Sequence, residues 1–170
     1  MSGKQSHNRI ETEFEQLFHS YADVIYRLAL YKTSHEDTAR DITQEAFTRL
    51  WQTLKAGKEL DRPKSYLYQI ARNLITDHYK RKRSLSLDQL RDDGFDPAAQ
   101  TGSTDLEAEI SILRADIQSL EEEFQEAIYL RLVEGLKVKE IAEFLNVSEN
   151  LVSVRINRGK KKLQAKWQGT

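Results

Sequence analysis

Over most of this chain apolar residues return every three or four positions, the interval of a helix face, and one stretch, 84–103, loses that rhythm. Phe14, Leu17, Phe18, Tyr21, Ile25, Leu28 and Ala29 trace one stripe, and Ile42, Ala46, Phe47, Leu50 and Leu54 trace a second. Each stripe must be buried against another element. A third helix is expected near Pro63, which a first turn tolerates, carrying Leu67, Ile70, Ala71, Leu74 and Ile75 inward. Ser34 with Asp37 three residues on reads as a weak capping box for the second helix, and Gly57 falls just past its end. Residues 10–83 are therefore expected to form a compact three-helix domain.

The interruption carries Asp-Gly, Asp-Pro and Thr-Gly-Ser, so residues 84–104 read as a flexible acidic linker. Thr104 with Glu107 then forms a capping box for a helix through Leu106, Ile110, Leu113 and Ile117. Ser119 with Glu122 opens another through Phe124, Ala127, Ile128 and Leu132, ending at Gly135, and two short helices follow, about Val138 to Leu145 and about Glu149 to Trp167. Only 7 Gly and 2 Pro in 170 residues leave little chain for turns. The expected class is all-α: two small helical domains joined by a flexible linker, the second a four-helix domain over 105–167.

Several functions are excluded by what is missing. There are no cysteines, which removes disulfide scaffolds, iron–sulfur clusters and thiolate chemistry. His7, His19, His35 and His78 are scattered, and no metalloprotease helix, phosphate-binding loop or serine elbow is present, so neither an enzyme nor a metal or other cofactor is expected. No window approaches the apolar length of a membrane span, and Met1 to Ile10 has no apolar run, giving the expectation of a soluble cytoplasmic protein. Net charge is −1, but it is unevenly spread: residues 1–83 carry 15 basic and 11 acidic groups, 84–126 carry 2 and 12, and 127–170 carry 9 and 4. An acidic middle lies between two basic blocks. It could serve as a solvated spacer or as a mimic of phosphates in a positively charged path.

The segment Val138 to Val152 has the pattern of a helix-turn-helix. Ile141, Leu145, Val147 and Val152 are expected inward, small Ala142 permits a close crossing, Asn146 suits a left-handed turn and Ser148 can cap the second helix. That helix should bury Val152, Ile156, Gly159 and Leu163, leaving Asn150, Val154, Asn157, Arg158 and Lys161 on the other side. Such a surface suits a major groove: cations draw phosphates, Asn can pair with adenine, and Val can touch a thymine methyl. Read apart from this motif, Lys160, Lys161 and Lys162 would be an ordinary solvated charge run.

In the first domain, Asp37, Asp41, Gln44, Glu45 and Thr48 share the face opposite the second apolar stripe, and periodicity assigns that face nothing beyond solvation. The third helix interleaves Arg72, Asn73, Lys80, Arg81, Lys82 and Arg83 with Tyr66, Tyr68, His78 and Tyr79. Cations among flat rings suit single-stranded nucleic acid, while tyrosines in a small helical domain also serve as core.

Three runs then resemble a known family. Asp-Ile-Thr-Gln-Glu-Ala-Phe-Thr-Arg-Leu-Trp (41–51), Arg-Pro-Lys-Ser-Tyr-Leu-Tyr-Gln-Ile-Ala-Arg-Asn-Leu-Ile-Thr-Asp (62–77) and the helix-turn-helix are similar, in order and spacing, to extracytoplasmic-function sigma factors of bacterial RNA polymerase. The resemblance implies a −10-binding domain, a flexible linker and a −35-binding domain, with core polymerase (its β and β′ subunits), promoter DNA and an anti-sigma factor as partners. By position, Asp41, Gln44, Glu45 and Arg49 match the helix that docks on the polymerase clamp. Gly57 to Ser65 match the segment that captures a flipped −10 base, and the implied −10 set is Arg62, Lys64, Ser65, Tyr66, Arg72, Asn73, Asp77, Lys80 and Arg81. The implied −35 set is Ser148, Asn150, Val154, Arg155, Asn157, Arg158 and Lys161. Here the chain departs from the family: Leu151-Val-Ser-Val-Arg155 stands where Thr-Val-Lys-Ser-Arg is usual, which points to another upstream sequence or an additional partner. The rival reading is a two-domain repressor or activator that binds duplex DNA without polymerase.

Overall fold

The structure, a computed structural model, describes residues 2–88 and 105–168. Among them are seven helices and no strand, in two compact units divided between residues 88 and 89. The first unit contains α1 (Ser2–Thr33), α2 (Glu36–Lys55) and α3 (Pro63–Asp88). The second contains α4 (Asp105–Gln118), α5 (Glu122–Ile128), a π-helical turn (Tyr129–Val133), α6 (Val138–Leu145) and α7 (Glu149–Gln168).

In the first unit α2 packs on both α1 and α3, and α1 also touches α3. Ile25, Leu50 and Leu67 are completely buried, and Ala29, Ala39, Ala46 and Ala71 are buried beside them, small enough for the helices to approach closely. The end of α2 is a Schellman motif: Gly57, at φ +75°, donates to the Leu54 carbonyl at 3.0 Å and Lys58 to that of Thr53 at 3.3 Å. Ser34 does not cap α2. It takes a left-handed conformation (φ +57°) and gives its N–H to the Leu30 carbonyl at 2.8 Å, closing α1, so extended His35 becomes the residue before α2 without a side-chain cap. Helix α3 continues to Asp88, into the expected linker, because no Gly or Pro intervenes before Gly94. Residues 89–104, with Thr104 and its capping role, lie outside the described residues.

In the second unit α7 rests on α5 and α6, and α4 packs on α5. Ser119 is likewise not a cap; its hydroxyl donates to the Asp116 carbonyl at 2.7 Å, and Glu121 precedes α5 instead. The expected single helix to Gly135 widens into the π-helical turn after Ile128. Ile128, Tyr129 and Leu130 are all buried, and a regular helix would fan three consecutive side chains through ~200°. The wider turn narrows that fan and lets all three face the core.

Candidate polymerase and nucleic-acid interfaces

Asp41, Gln44 and Arg49 are exposed on α2 and Glu45 is half-buried beside them. Two ion pairs organise this face: Arg49 Nε lies 2.6 Å from Glu45 Oε1, and Arg40 3.0 Å from Asp37. Both are exposed i,i+4 or i,i+3 pairs, which stabilise a helix little and are easily exchanged for a partner's charges. Next to the polar face, α1 and α2 enclose a groove of about 740 Å³ whose walls include Phe14, Phe18, Phe47 and Trp51, with Gln44 and Thr48 at its edge. The rings meet edge to face, Phe14 with Trp51 at 5.1 Å and Phe18 with Phe47 at 5.0 Å. Phe18 remains 44% exposed. Periodicity placed Phe14, Phe18 and Phe47 on the core stripes without distinguishing stripe centre from stripe edge, and the edge is what lines the groove.

The turn into α3 is braced by its own aromatic residues. Tyr66 is half-buried, its hydroxyl 3.2 Å from Thr53 Oγ1, with Lys58 Nζ 6.0 Å from its ring centre, while Lys64 Nζ stands 5.7 Å from the ring of Tyr21. Arg62 is exposed, but Ser65 is buried, so its side chain belongs to the turn's interior. Along α3 the exposed stripe runs through Gln69, Arg72, Asn73, Thr76 and Lys80, with Asp77 and Arg81 at its side. Gln69 and Thr76 escaped the reading of composition, although the same i, i+3, i+4 spacing that places Arg72 and Asn73 places them too. Tyr68 is buried, which settles it as core. Tyr79 is about half exposed and its hydroxyl donates to the Lys32 carbonyl, and burial pushes that hydroxyl's pKa up. Burial first, then Lys82, Arg81 and His35, lowers the pKa of His78 below 6.5, so at neutral pH it adds no positive charge to α3.

The helix-turn-helix is formed by α6 and α7. Asn146 takes the left-handed conformation (φ 55°, ψ 48°), Glu140 Oε2 accepts the Lys137 N–H at 2.7 Å, and Ser148 Oγ accepts the Leu151 N–H at 3.2 Å. Ser148 thus acts as the expected cap. Val152, Ile156, Gly159 and Leu163 are buried, as the spacing requires, whereas on α6 Phe144 is buried and Leu145 is only half-buried, as is Val147 in the turn that follows. The buried arc of α6 is broader than one stripe because it faces both α7 and the π-helical turn. Asn150, Asn157, Arg158 and Lys161 are exposed opposite the core, and Val154 is half-buried among them. Arg155 is not on that stripe. Its side chain is 21% exposed and its Nε lies 3.9 Å from Glu123. Lys162 pairs with Glu121, and Lys166 with Asp116 at 2.7 Å. These contacts hold the Glu121 and Asp116 carboxyls below their usual pKa range, Lys162 being the main cause for the first and Lys166, then Trp167, for the second. Among the described residues no group of acidic or histidine side chains is placed to hold a metal, and no helix is long and apolar enough to cross a membrane.

Two helical units, one ending in a helix-turn-helix with a basic outer face, define a DNA-binding regulatory protein. Comparison with known proteins makes this specific. Residues 17–85 match Sigma-70 region 2 and residues 111–163 match Sigma-70 region 4. The ECF RNA polymerase sigma factor SigE of Mycolicibacterium smegmatis is 30% identical over 155 residues, covering 89% of this chain and 60% of that protein. SigW of Bacillus subtilis, also an ECF RNA polymerase sigma factor, is 27% identical over 175 residues, 95% of this chain and 92% of its own. Among solved structures, CnrH in complex with the cytosolic domain of CnrY shares the fold with a TM-score of 0.64 at 22% identity, covering 98% of this chain and 94% of that chain. The sigma factor RpoE of Bartonella quintana, in complex with the anti-sigma factor NepR, does so at 0.61 and 22%, covering 92% and 97%. The chain belongs to the extracytoplasmic-function sigma factors, a family of promoter-directed transcription initiation factors.

Proposed function

We propose that this protein acts in the cytoplasm by binding core RNA polymerase through the first unit and delivering it to promoters that both units read. The observation that carries the reading is the joining, on α2, of an exposed polar face at Asp41, Gln44, Glu45 and Arg49 with an open aromatic groove. Charged groups steer and orient a partner, while large half-exposed rings supply the apolar anchor that an exposed ion pair cannot. The α3 stripe with Arg62, Lys64 and Tyr66 takes the melted non-template strand of the −10 element. A base extruded there loses a few kcal/mol of stacking, which ring and side-chain contacts offset. The outer face of α7 takes the duplex upstream. None of these steps requires bond chemistry by the chain itself. Occlusion of the α2 face by an anti-sigma factor would switch the protein off, and relatives of this fold are found with such partners.

Affinity of the full chain for core polymerase is the test. Reversing Asp41 and Glu45 to Arg should weaken binding about tenfold or more, roughly 1.4 kcal/mol, with helicity retained. Trp51→Ala should weaken it by about 2 kcal/mol, as for a buried aromatic anchor. Unchanged affinity in both variants would remove α2 as the docking element.

A further inference from the structure

The six basic residues of α7 do not form one surface. At ~100° per residue, Arg155, Lys162 and Lys166 fall within about 40° of one another, on the side turned to α4 and α5. Each meets a carboxylate there: Glu123, Glu121 and Asp116. Trp167 Nε1 adds a donor to Asp116 at 2.6 Å, and Lys162 also lies over the ring of Phe124 at 5.3 Å. Lys160 and Lys161 are exposed and lie about 120–140° around the helix from Arg155, while Arg158, exposed about 60° from it, borders the seam on its outer side. The seam flanks a close crossing, where a side chain at Gly159 would come within 2.6 Å of Ile128 Cγ1. Buried Val152, Ile156 and Leu163 set which face of α7 is inward, and charged contacts to one side limit the roll that remains about a close glycine crossing.

We propose that Arg155, which the family resemblance places among the −35 contacts, is instead a positioning residue: paired with Glu123 and continued by the Lys162–Glu121 and Lys166–Asp116 contacts, it fixes the roll of α7 and hence which side chains enter the groove. An arginine that contacts DNA offers several donors to a phosphate or a guanine edge. Most of this side chain is covered, and its Nε is buried without a hydrogen-bond partner, so the charge held there depends on the Glu123 carboxylate. The exposed members of the seam contribute little to stability individually. Their effect is expected in the orientation of the helix, and so in promoter choice, before it is seen in unfolding. The inference rests on the reading that α7 binds duplex DNA.

The test uses the full chain. In one arm it is bound to core polymerase and offered a pool of linear promoter duplexes randomised upstream; in the other its binding to a short mixed-sequence duplex is followed against salt. Arg155→Gln and Glu123→Gln should each flatten the upstream base preference a few-fold in the same direction, the double variant should be no worse than either, and Arg155→Lys should retain the preference. Arg155→Gln should leave the salt slope unchanged, whereas Lys161→Gln lowers it by about 0.9, the loss of one phosphate contact. If Glu123→Gln sharpens the preference or leaves it unchanged, or if Arg155→Gln lowers the slope as Lys161→Gln does, Arg155 is a DNA contact and the proposal is wrong. Glu123 is about half exposed, so its variant keeps this test readable even where a change at Arg155 disturbs folding. If neither Lys161→Gln nor Arg155→Gln moves the slope, the assignment of α7 to DNA fails and the proposal falls with it.

Discussion

At position 159 the absence of a side chain determines how α7 is seated. A Cβ there would lie 2.6 Å from Cγ1 of fully buried Ile128 and 3.4 Å from Phe124 Cβ, neither of which is the free end of a side chain. Overpacking of this kind costs about 1–3 kcal/mol. Gly159→Val should therefore lower the unfolding midpoint of the second unit by several degrees in a thermal melt followed by circular dichroism, and an unchanged midpoint would contradict the close crossing. His78 gives a pH-dependent expectation. Its folded pKa is lowered from 6.5, so the neutral form favours the fold: its contribution is present above 6.5 and is lost as pH falls through the lowered value. The first unit's stability should decline over that acid range, and His78→Gln should flatten the decline. Sequence spacing located Gly159 but could not give it this weight, because an inward glycine and an inward alanine are indistinguishable until the opposing residue is known.

At the scale of elements, the helices and their buried faces were legible while several of their ends were not. The apolar spacing of α2, α3 and α7 fixed which faces are inside, and the Asn146 turn and Ser148 cap are as the residue types require. Ser34 and Ser119 failed as caps because each is taken up by the end of the preceding helix, one as a left-handed closing residue and the other bonded back to Asp116. The aromatic groove was illegible for a related reason. Phe14 and Phe47 satisfy a core pattern equally well at the centre of a helix interface or at its rim, and only the relative placement of α1 and α2 decides. The groove also yields a separable expectation. Phe18→Ser, at a residue 44% exposed, should weaken polymerase binding in a pull-down without a comparable loss of thermal stability. Equal losses in both would return Phe18 to the core.

For the whole molecule, the decisive sequence feature was the division of charge into basic, acidic and basic blocks, and its meaning changed once the fold was known. Part of the acidic block is structural: Asp116, Glu121 and Glu123 sit on α4 and at the start of α5 and hold α7. Charge counting could not separate these from the acidic residues of 89–104, since pairing depends on which helix faces which. The basic blocks supply the exposed residues of α3 and α7 that are assigned to DNA. The central claim is that these surfaces act through polymerase, and mapping transcript starts tests it most directly. Core polymerase alone and core polymerase with the full chain are given the same fragmented bacterial DNA, and the 5′ ends of the RNA are sequenced. The chain should create a set of discrete starts sharing an upstream and a −10 sequence, and Arg72→Ala with Asn73→Ala should abolish them while polymerase binding persists. Identical start sites with and without the chain, together with tight binding of the chain to duplex DNA in the absence of polymerase, would contradict the account and leave a repressor or activator in its place.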